Sequence, residues 1–546
     1  MIFFPKRSAD MKKFISFALA VCMTATSALA LTPAQLDVIL AERYPGTIPA
    51  AVAQADTVED KLAALGDPYA HYYTAGEYAD FQAQLSEAGQ QSGSTVTASL
   101  EDGHVGRIAI SVFGPGTFES LKAAVSTHNA SADRWIVDLR GNAGGELNAA
   151  VDGMSVFMGK GELVYLRGKD GKLYAARSSD AKETIDPAIV LVNGRTASAA
   201  ELFAANIRDR QRGIIIGSRT YGKGVGQSAL TKNEYPEAFA DGSALLLTTS
   251  YVFSDSLTTH NVMGVVPTLL VDDALTEPVA KLLCAAAPAG NNSGFLRVHL
   301  GRWRWYVDLN QAKAQPAAFA ALLEALPPQT PLYLGEGTDW RATGVAEVAA
   351  DFCPGFTSRS FSDVGGSQYK DAINTLKTYG ILKGNEAGDF MPSAVLDRAS
   401  LCALLAQAMG YPPSSGAPAF ADTPADAWYT PYVTTLNKMG VVNGYDDGLF
   451  HPNDPIPHQQ FMVILARIIA NTNHRCYAAM QTGMTAEEAA AGDYDAYAPW
   501  ARTGVWALDG WWHADAKDID PNALTTREEA AYDLHAALSG LGLLPQ

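Results

Sequence analysis

Two short segments carry residues whose types and spacing could do chemistry. The first is Asn193-Gly194-Arg195-Thr196-Ala197-Ser198-Ala199-Ala200-Glu201. It follows an apolar run that reads as a buried strand, and it opens a helix. A serine there holds its Oγ at the positive end of the helix, where backbone N–H groups lack intrahelical partners. Such a place can hold an oxyanion. The plainer reading of Ser198 is a helix cap, and taken alone it is the commoner one. The second segment is Thr220-Tyr221-Gly222-Lys223-Gly224-Val225-Gly226-Gln227. A lysine between glycines can lie close to other backbone. Enclosure disfavours the ammonium and lowers its pKa, and a neutral lysine can take a proton from a serine hydroxyl. Gln227 can hydrogen-bond the amine and orient it. Taken alone, Lys223 reads as a solvated loop lysine.

The surrounding pattern predicts the elements that must position these residues. Thr32–Gln90 is helix-rich, with a turn at Leu65-Gly66-Asp67-Pro68-Tyr69. Arg107–Val112 alternates as a half-buried strand does. A helix over Thr117–His128 follows, then a strand at Trp135–Leu139, a glycine-rich turn and a helix through Phe157. Further strands are predicted at Ile189–Val192, Ile214–Ile216 and Leu245–Tyr251, with a helix over Ser198–Arg208. Strands alternating with helices indicate an α/β layered domain.

The paired segments resemble the carboxyl-terminal processing peptidases, the tail-specific serine proteases with a Ser-Lys-Gln site. Ser198 and Lys223 stand 25 residues apart and Gln227 four further on, in keeping with that family. Four more segments match in order: Leu65–Tyr69, Asp138-Leu139-Arg140-Gly141-Asn142-Ala143-Gly144-Gly145, Gly217–Gly224 and Gly264-Val265-Val266-Pro267. The resemblance covers about Thr32–Val271. It implies an α/β fold with a crotonase/ClpP-like layered peptidase core over residues 93–285, after an N-terminal helical region at 31–92. It also implies roles: Ser198 as nucleophile, Lys223 as general base, Gln227 to position Lys223. The oxyanion hole would use the backbone N–H of Ala199 and one from Gly144 or Gly145. Neither a cofactor nor a metal is expected. One departure is large. The family carries a PDZ domain before the first core strand, and here only Gln82–Gly103 is available. Capture of substrate carboxyl-termini by strand addition is therefore not carried over with the chemistry. Ala143 for a common proline and Thr268 for a common aspartate are smaller departures.

The last third of the chain repeats. Phe361-Ser362-Asp363 and Phe420-Ala421-Asp422 open two units, and a third begins near Asp493–Trp500. The turns Gly384–Pro392 and Gly444–Pro452 align. These units resemble S-layer homology domains, which anchor exported proteins to cell-wall polysaccharide, and they are placed at 360–412, 418–472 and 490–541. The family's T-R-A-E signature is matched by Arg398 in the first unit and Arg527 in the third, the candidate ligands for an anionic wall polymer. Pairing with Asp397 or Glu528 is the plainer reading. The second unit has His458 there instead, which predicts an altered groove in that unit. Residues 292–355 read as a small α/β accessory domain with no functional reading.

Composition bounds the rest. The 546 residues exceed one core, and the net charge of -18 argues against a nucleic-acid partner. Lys12 and Lys13, the apolar run Phe14–Val21 and Ala28-Leu29-Ala30 read as an export signal over residues 1–30. Val21 before Cys22 is too bulky for lipid attachment. No later segment is apolar long enough to span a membrane. Cys284, Cys353, Cys402 and Cys476 lack metal-ligand spacing, and Cys284 with Cys353 could form a disulfide or stay as core thiols. The expectation is an exported, wall-anchored endopeptidase acting on extracytoplasmic proteins. Its rivals are a surface binding protein with a retired peptidase core and, on fold resemblance alone, a crotonase-type acyl-CoA enzyme.

Overall fold

The computed structural model describes residues 30–91, 95–180, 182–354, 356, 360–485, 487–488, 494–508 and 519–544. The expected export signal, with Cys22, lies outside the described residues except for Ala30. The fold class is the expected mixed α/β one. In chain order the strands are β1 (His71–Tyr73), β2 (Val96–Glu101), β3 (Val105–Ile110), β4 (Arg134–Asp138), β5 (Gly161–Arg167), β6 (Leu173–Ser178), β7 (Ala188–Val192), β8 (Gly213–Gly217), β9 (Val225–Leu230), β10 (Ala244–Phe253) and β11 (Leu269–Leu270). Four more follow: β12 (Phe295–Leu300), β13 (Trp303–Asp308), β14 (Leu332–Glu336) and β15 (Asp339–Thr343).

One sheet runs β11-β8-β7-β4-β3-β2, parallel except for the β2–β3 hairpin. The middle of β4 and all of β7 are apolar because both faces are covered; all five residues of β7 are buried. Trp135, Val137 and Val190 face helices Thr117–His128, Leu147–Met158 and Ala199–Asp209. Ile136, Ile189 and Ile214 face helix Asp273–Leu283. Gly106 on β3 lies under the Trp135 ring, where a Cβ would sit 2.3 Å from the indole. A second, antiparallel sheet places β1 and β5 on one side of β10 and β9 on the other.

Three features differ from the sequence expectation. Val96–Glu101, expected as connector, is a strand. Its partner turn passes through Asp102 and Gly103 at φ 50° and 74°, the left-handed region that Asp and Gly tolerate best. Residues 292–354 form a four-stranded sheet with helices. Their apolar side chains, however, join Ile136, Ile189 and Ile214 in one continuous core, so this region has no core of its own. The four described cysteines are free and buried, so Cys284 and Cys353 are core thiols; burial raises Cys284 to about 12.

The repeats form a helical unit closed by a ring of three short extended segments. Leu396 N–H donates to Thr525, Thr525 N–H to Ile456, and Ile456 N–H to Leu396, at 2.9–3.0 Å. The three segments precede helices Arg398–Ala408, His458–Ala470 and Arg527–Gly540. In the first two repeats the opening aspartate caps the glycine turn. Asp363 accepts from Phe390 and Met391 N–H, and Asp422 accepts from Phe450 and His451 N–H. No helix among the described residues is long and apolar enough to cross a membrane.

Candidate active site

Ser198 stands between β7 and helix Ala199–Asp209, half-buried, at φ 57° and ψ −121°. A non-glycine residue held at positive φ costs on the order of 1–3 kcal/mol. The loop before it is tied on every side. Asn193 Oδ1 accepts from Gly141 and Arg195 N–H, each at 3.1 Å. Thr196 Oγ donates to Leu139 O at 2.8 Å, and Ala197 N–H donates to Asn142 O at 2.9 Å. The Asp138–Gly145 turn and the serine loop therefore brace each other. Gly144, at φ 101°, packs so closely that a Cβ there would lie 2.7 Å from Ser198 Cβ.

Lys223 lies between β8 and β9 with only 1% of its surface exposed. Its Nζ donates to Gln227 Oε1 at 2.6 Å. Gln227 Nε2 in turn donates to Tyr69 O at 2.6 Å, and the Tyr69 ring lies 4.9 Å from the amine. Desolvation lowers the Lys223 pKa to about 7, although the nearby Asp67 and Glu201 charges pull it upward. The Leu65–Tyr69 turn, an unexplained match in the sequence, is thus the cover over the lysine. Burial raises Asp67 within it.

One side chain joins the two segments. Glu201, fully buried on the first turn of the serine helix, accepts with Oε2 from Ser198 N–H at 2.7 Å and Lys223 N–H at 2.9 Å. Its Oε1 accepts from Gly222 N–H at 2.7 Å and Thr220 Oγ–H at 2.5 Å. Tyr221 N–H also donates to Thr196 O at 3.0 Å. His260 Nε2 donates to Lys223 O at 2.9 Å, and Asn261 Oδ1 accepts from Gly224 N–H at 3.3 Å. No role was read from the sequence for Glu201 or His260. A signal for Glu201 was present: Ser198-x-x-Glu201 has the spacing of a helix capping box. Nothing marked His260, which comes from a loop 37 residues after Lys223.

The glycine turn offers one free donor. Gly144 N–H is given to Asn142 Oδ1 at 2.8 Å. Gly145 N–H has no acceptor among the described residues, since the bridge to Phe113 uses Gly144 O and Glu146 N–H. A half-buried hydroxyl at a helix start, tied through Glu201 to the segment of a buried lysine of depressed pKa, is an arrangement from which a nucleophile can be activated and an oxyanion held.

The arginines of the repeats lie in grooves between units. Arg398 is buried and turned away from Asp397, which caps its own helix by accepting from Ser400 N–H. Its guanidinium donates to Phe450 O, Asn443 O and Gln460 Oε1, and stacks on Tyr445. It walls a cavity of about 590 Å³ with the second repeat's turn and Trp500. Arg527 donates to Phe390 O at 2.8 Å and lines a cavity of about 350 Å³ with the first repeat's turn and Trp428. Each arginine thus serves a neighbour's turn. The groove at the second turn contains Arg398 of the first unit.

Comparison with known proteins agrees with these two units. Residues 104–271 match the family model "Peptidase family S41", and residues 360–402 and 419–462 match "S-layer homology domain". The carboxy-terminal-processing protease of Bartonella bacilliformis is 33% identical over 184 residues, which is 32% of this chain and 41% of the relative. Carboxy-terminal processing protease CtpA of Bacillus subtilis is 33% identical over 156 residues, 28% of this chain and 32% of the relative. The solved photosystem II D1 C-terminal processing protease is 26% identical, with a TM-score of 0.29, over 33% of this chain and 48% of that one. The chain therefore spans less than half the length of these relatives.

Proposed function

We propose that this chain, which carries a peptidase family S41 domain and S-layer homology repeats, is a serine endopeptidase held at the cell wall. The observation that carries the reading is the Glu201 carboxylate, whose single oxygen Oε2 holds the backbone N–H of both Ser198 and Lys223. Nucleophile and base are thereby fixed as one unit, with the amine buried and poised near neutrality.

In this reading Ser198 Oγ attacks the peptide carbonyl carbon while Lys223 Nζ takes the hydroxyl proton. Ala199 and Gly145 N–H stabilise the oxyanion; losing one such donor costs on the order of 10²–10³ in turnover. The tetrahedral intermediate collapses to an acyl-enzyme, and the Lys223 ammonium gives its proton to the leaving amine. Water then attacks the ester carbonyl with Lys223 again as base, and the proton returns to Ser198 Oγ. Gln227 orients the amine throughout.

Arg398 and Arg527, each at a groove with an exposed tryptophan, suit an anionic wall polysaccharide. Substrates are then the unstructured segments of proteins outside the cytoplasm that pass the wall. Tail specificity is no part of the reading, because helix Ala75–Gln91 is followed almost at once by β2, with no room for a PDZ domain. The direct test is cleavage of an unstructured peptide by the parent and by Ser198→Ala. Cleavage by the parent alone is expected, and equal cleavage by the variant would end the proposal.

A further inference from the structure

The loop that touches the catalytic lysine from behind has a second face, and the repeats occupy it. On the inner face, Val262 N–H donates to Gly222 O at 2.8 Å, Thr259 Oγ donates to Gly224 O at 3.3 Å, and His260 and Asn261 hold Lys223 O and Gly224 N–H. Gly222 and Gly224 are needed for this approach. A Cβ at Gly222 would lie 2.6 Å from Val262 O, and one at Gly224 would lie 2.4 Å from Asn261 N. On the outer face, Thr259 N–H donates to Thr472 O at 2.8 Å and Thr258 Oγ donates to Leu541 O at 3.1 Å. Asn473 Nδ2 donates to Thr258 Oγ1 at 3.1 Å and to Ser256 O at 3.3 Å, and His474 N–H donates to Leu257 O at 2.9 Å.

The apolar packing is continuous as well. Met263 and Val266 belong to the core of the repeat unit. Arg219, four residues before the lysine, donates to Ala408 O at 3.1 Å, and Tyr379 Oη donates to Thr268 O at 2.7 Å. Leu257 and Val262 lie at φ 58° and 65°. Such conformations persist where surrounding structure over-determines them. Here the surroundings are the base segment on one side and the repeats on the other.

We propose that the repeat unit is part of the catalytic apparatus: it holds the Leu257–Gly264 loop, and through His260 and Asn261 that loop positions Lys223. His260 and Asn473 are positioning residues in this scheme. The role rests on the peptidase reading above, and it extends that reading by giving the wall-type repeats a duty toward the active site. The Asp67 and Glu201 charges and the Tyr69 ring face the Lys223 amine, while His260, which belongs to the loop, lies 3.6 Å from Glu201 and donates to Lys223 O.

The test uses the full chain. Asn473→Ser keeps a helix cap but loses reach to the loop, and Thr258→Val keeps shape but loses both outer contacts. Hydrogen exchange reads the coupling without relying on activity. The amides of Gly222, Lys223 and Gly224 should lose about tenfold in protection in both variants, as loss of one buried hydrogen bond implies, while β4 amides stay protected. On peptide cleavage, kcat should fall about tenfold with KM unchanged, and the acid limb of the pH profile should move. His260→Gln, which keeps a donor, should recover most of what His260→Ala loses. Loosened exchange confined to the docking residues, with base-segment protection and kcat as in the parent, would overturn the proposal. Failure of the peptidase reading would look different: Ser198→Ala would match the parent whatever the exchange data gave.

Discussion

Lys223 sits where an ammonium is poorly solvated, and that has two consequences of opposite sign. Catalysis needs the neutral amine, so the rate should be low below pH 7 and rise through about 7 to a plateau. Stability responds to the same group. Its folded-state pKa is depressed from 10.5, so between about 7 and 10.5 the unfolded chain binds more protons, and stability rises with pH across that window. Lys223→Met should therefore abolish cleavage and raise the melting temperature below pH 7, the gain shrinking toward pH 10.5. Calorimetry of both proteins across that range checks it. Glu201 matters through its hydrogen bonds, four of which it accepts from Ser198, Lys223, Gly222 and Thr220. In Glu201→Gln one of its two oxygens becomes a donor facing donors. A loss of ~3 kcal/mol in unfolding free energy is expected from leaving buried N–H groups unpaired, read by chemical denaturation.

Elements bring these residues together, and at this scale the sequence was only partly readable. Ser198, Lys223 and Gln227 could be singled out only together, by their spacing, since each alone has a plainer reading as a cap or a solvated loop residue. Strands β4, β7 and β8 were legible because they are short apolar runs between polar turns. Strand β2 was not, since its alternation is weak and its meaning depends on pairing with β3. Glu201 and His260 were not, because their roles arise only where distant loops converge. The choice between Gly144 and Gly145 likewise turns on Asn142, which claims the Gly144 N–H. Gly144→Ala should place a methyl against Ser198 and force a strained φ. We expect a kcat loss on the order of 10², with a smaller change in melting temperature because the site lies at the surface of the core.

Across the whole molecule, the unit that reads in sequence as a detachable wall anchor is continuous with the peptidase. Met263 and Val266 look like ordinary loop and strand residues until the repeats are seen packed on them. The repeats also exchange residues around their ring, which no single repeat discloses: Arg398 of the first lines the second's groove, and Arg527 of the third lines the first's. Arg398→Ala should therefore weaken co-sedimentation of the full chain with purified wall polysaccharide about tenfold or more, and His458→Ala should do so less. Equal effects of the two would contradict the exchange of grooves.

The most direct test of the central claim, that Ser198 is a nucleophile activated by Lys223, is the rate at which a serine-directed phosphonate labels the full chain as a function of pH, with the adduct located by mass spectrometry. The account predicts a single adduct on Ser198, formed faster as pH rises through about 7 and lost in Lys223→Ala. Absence of an adduct at Ser198, or labelling that persists unchanged in Lys223→Ala, would contradict it.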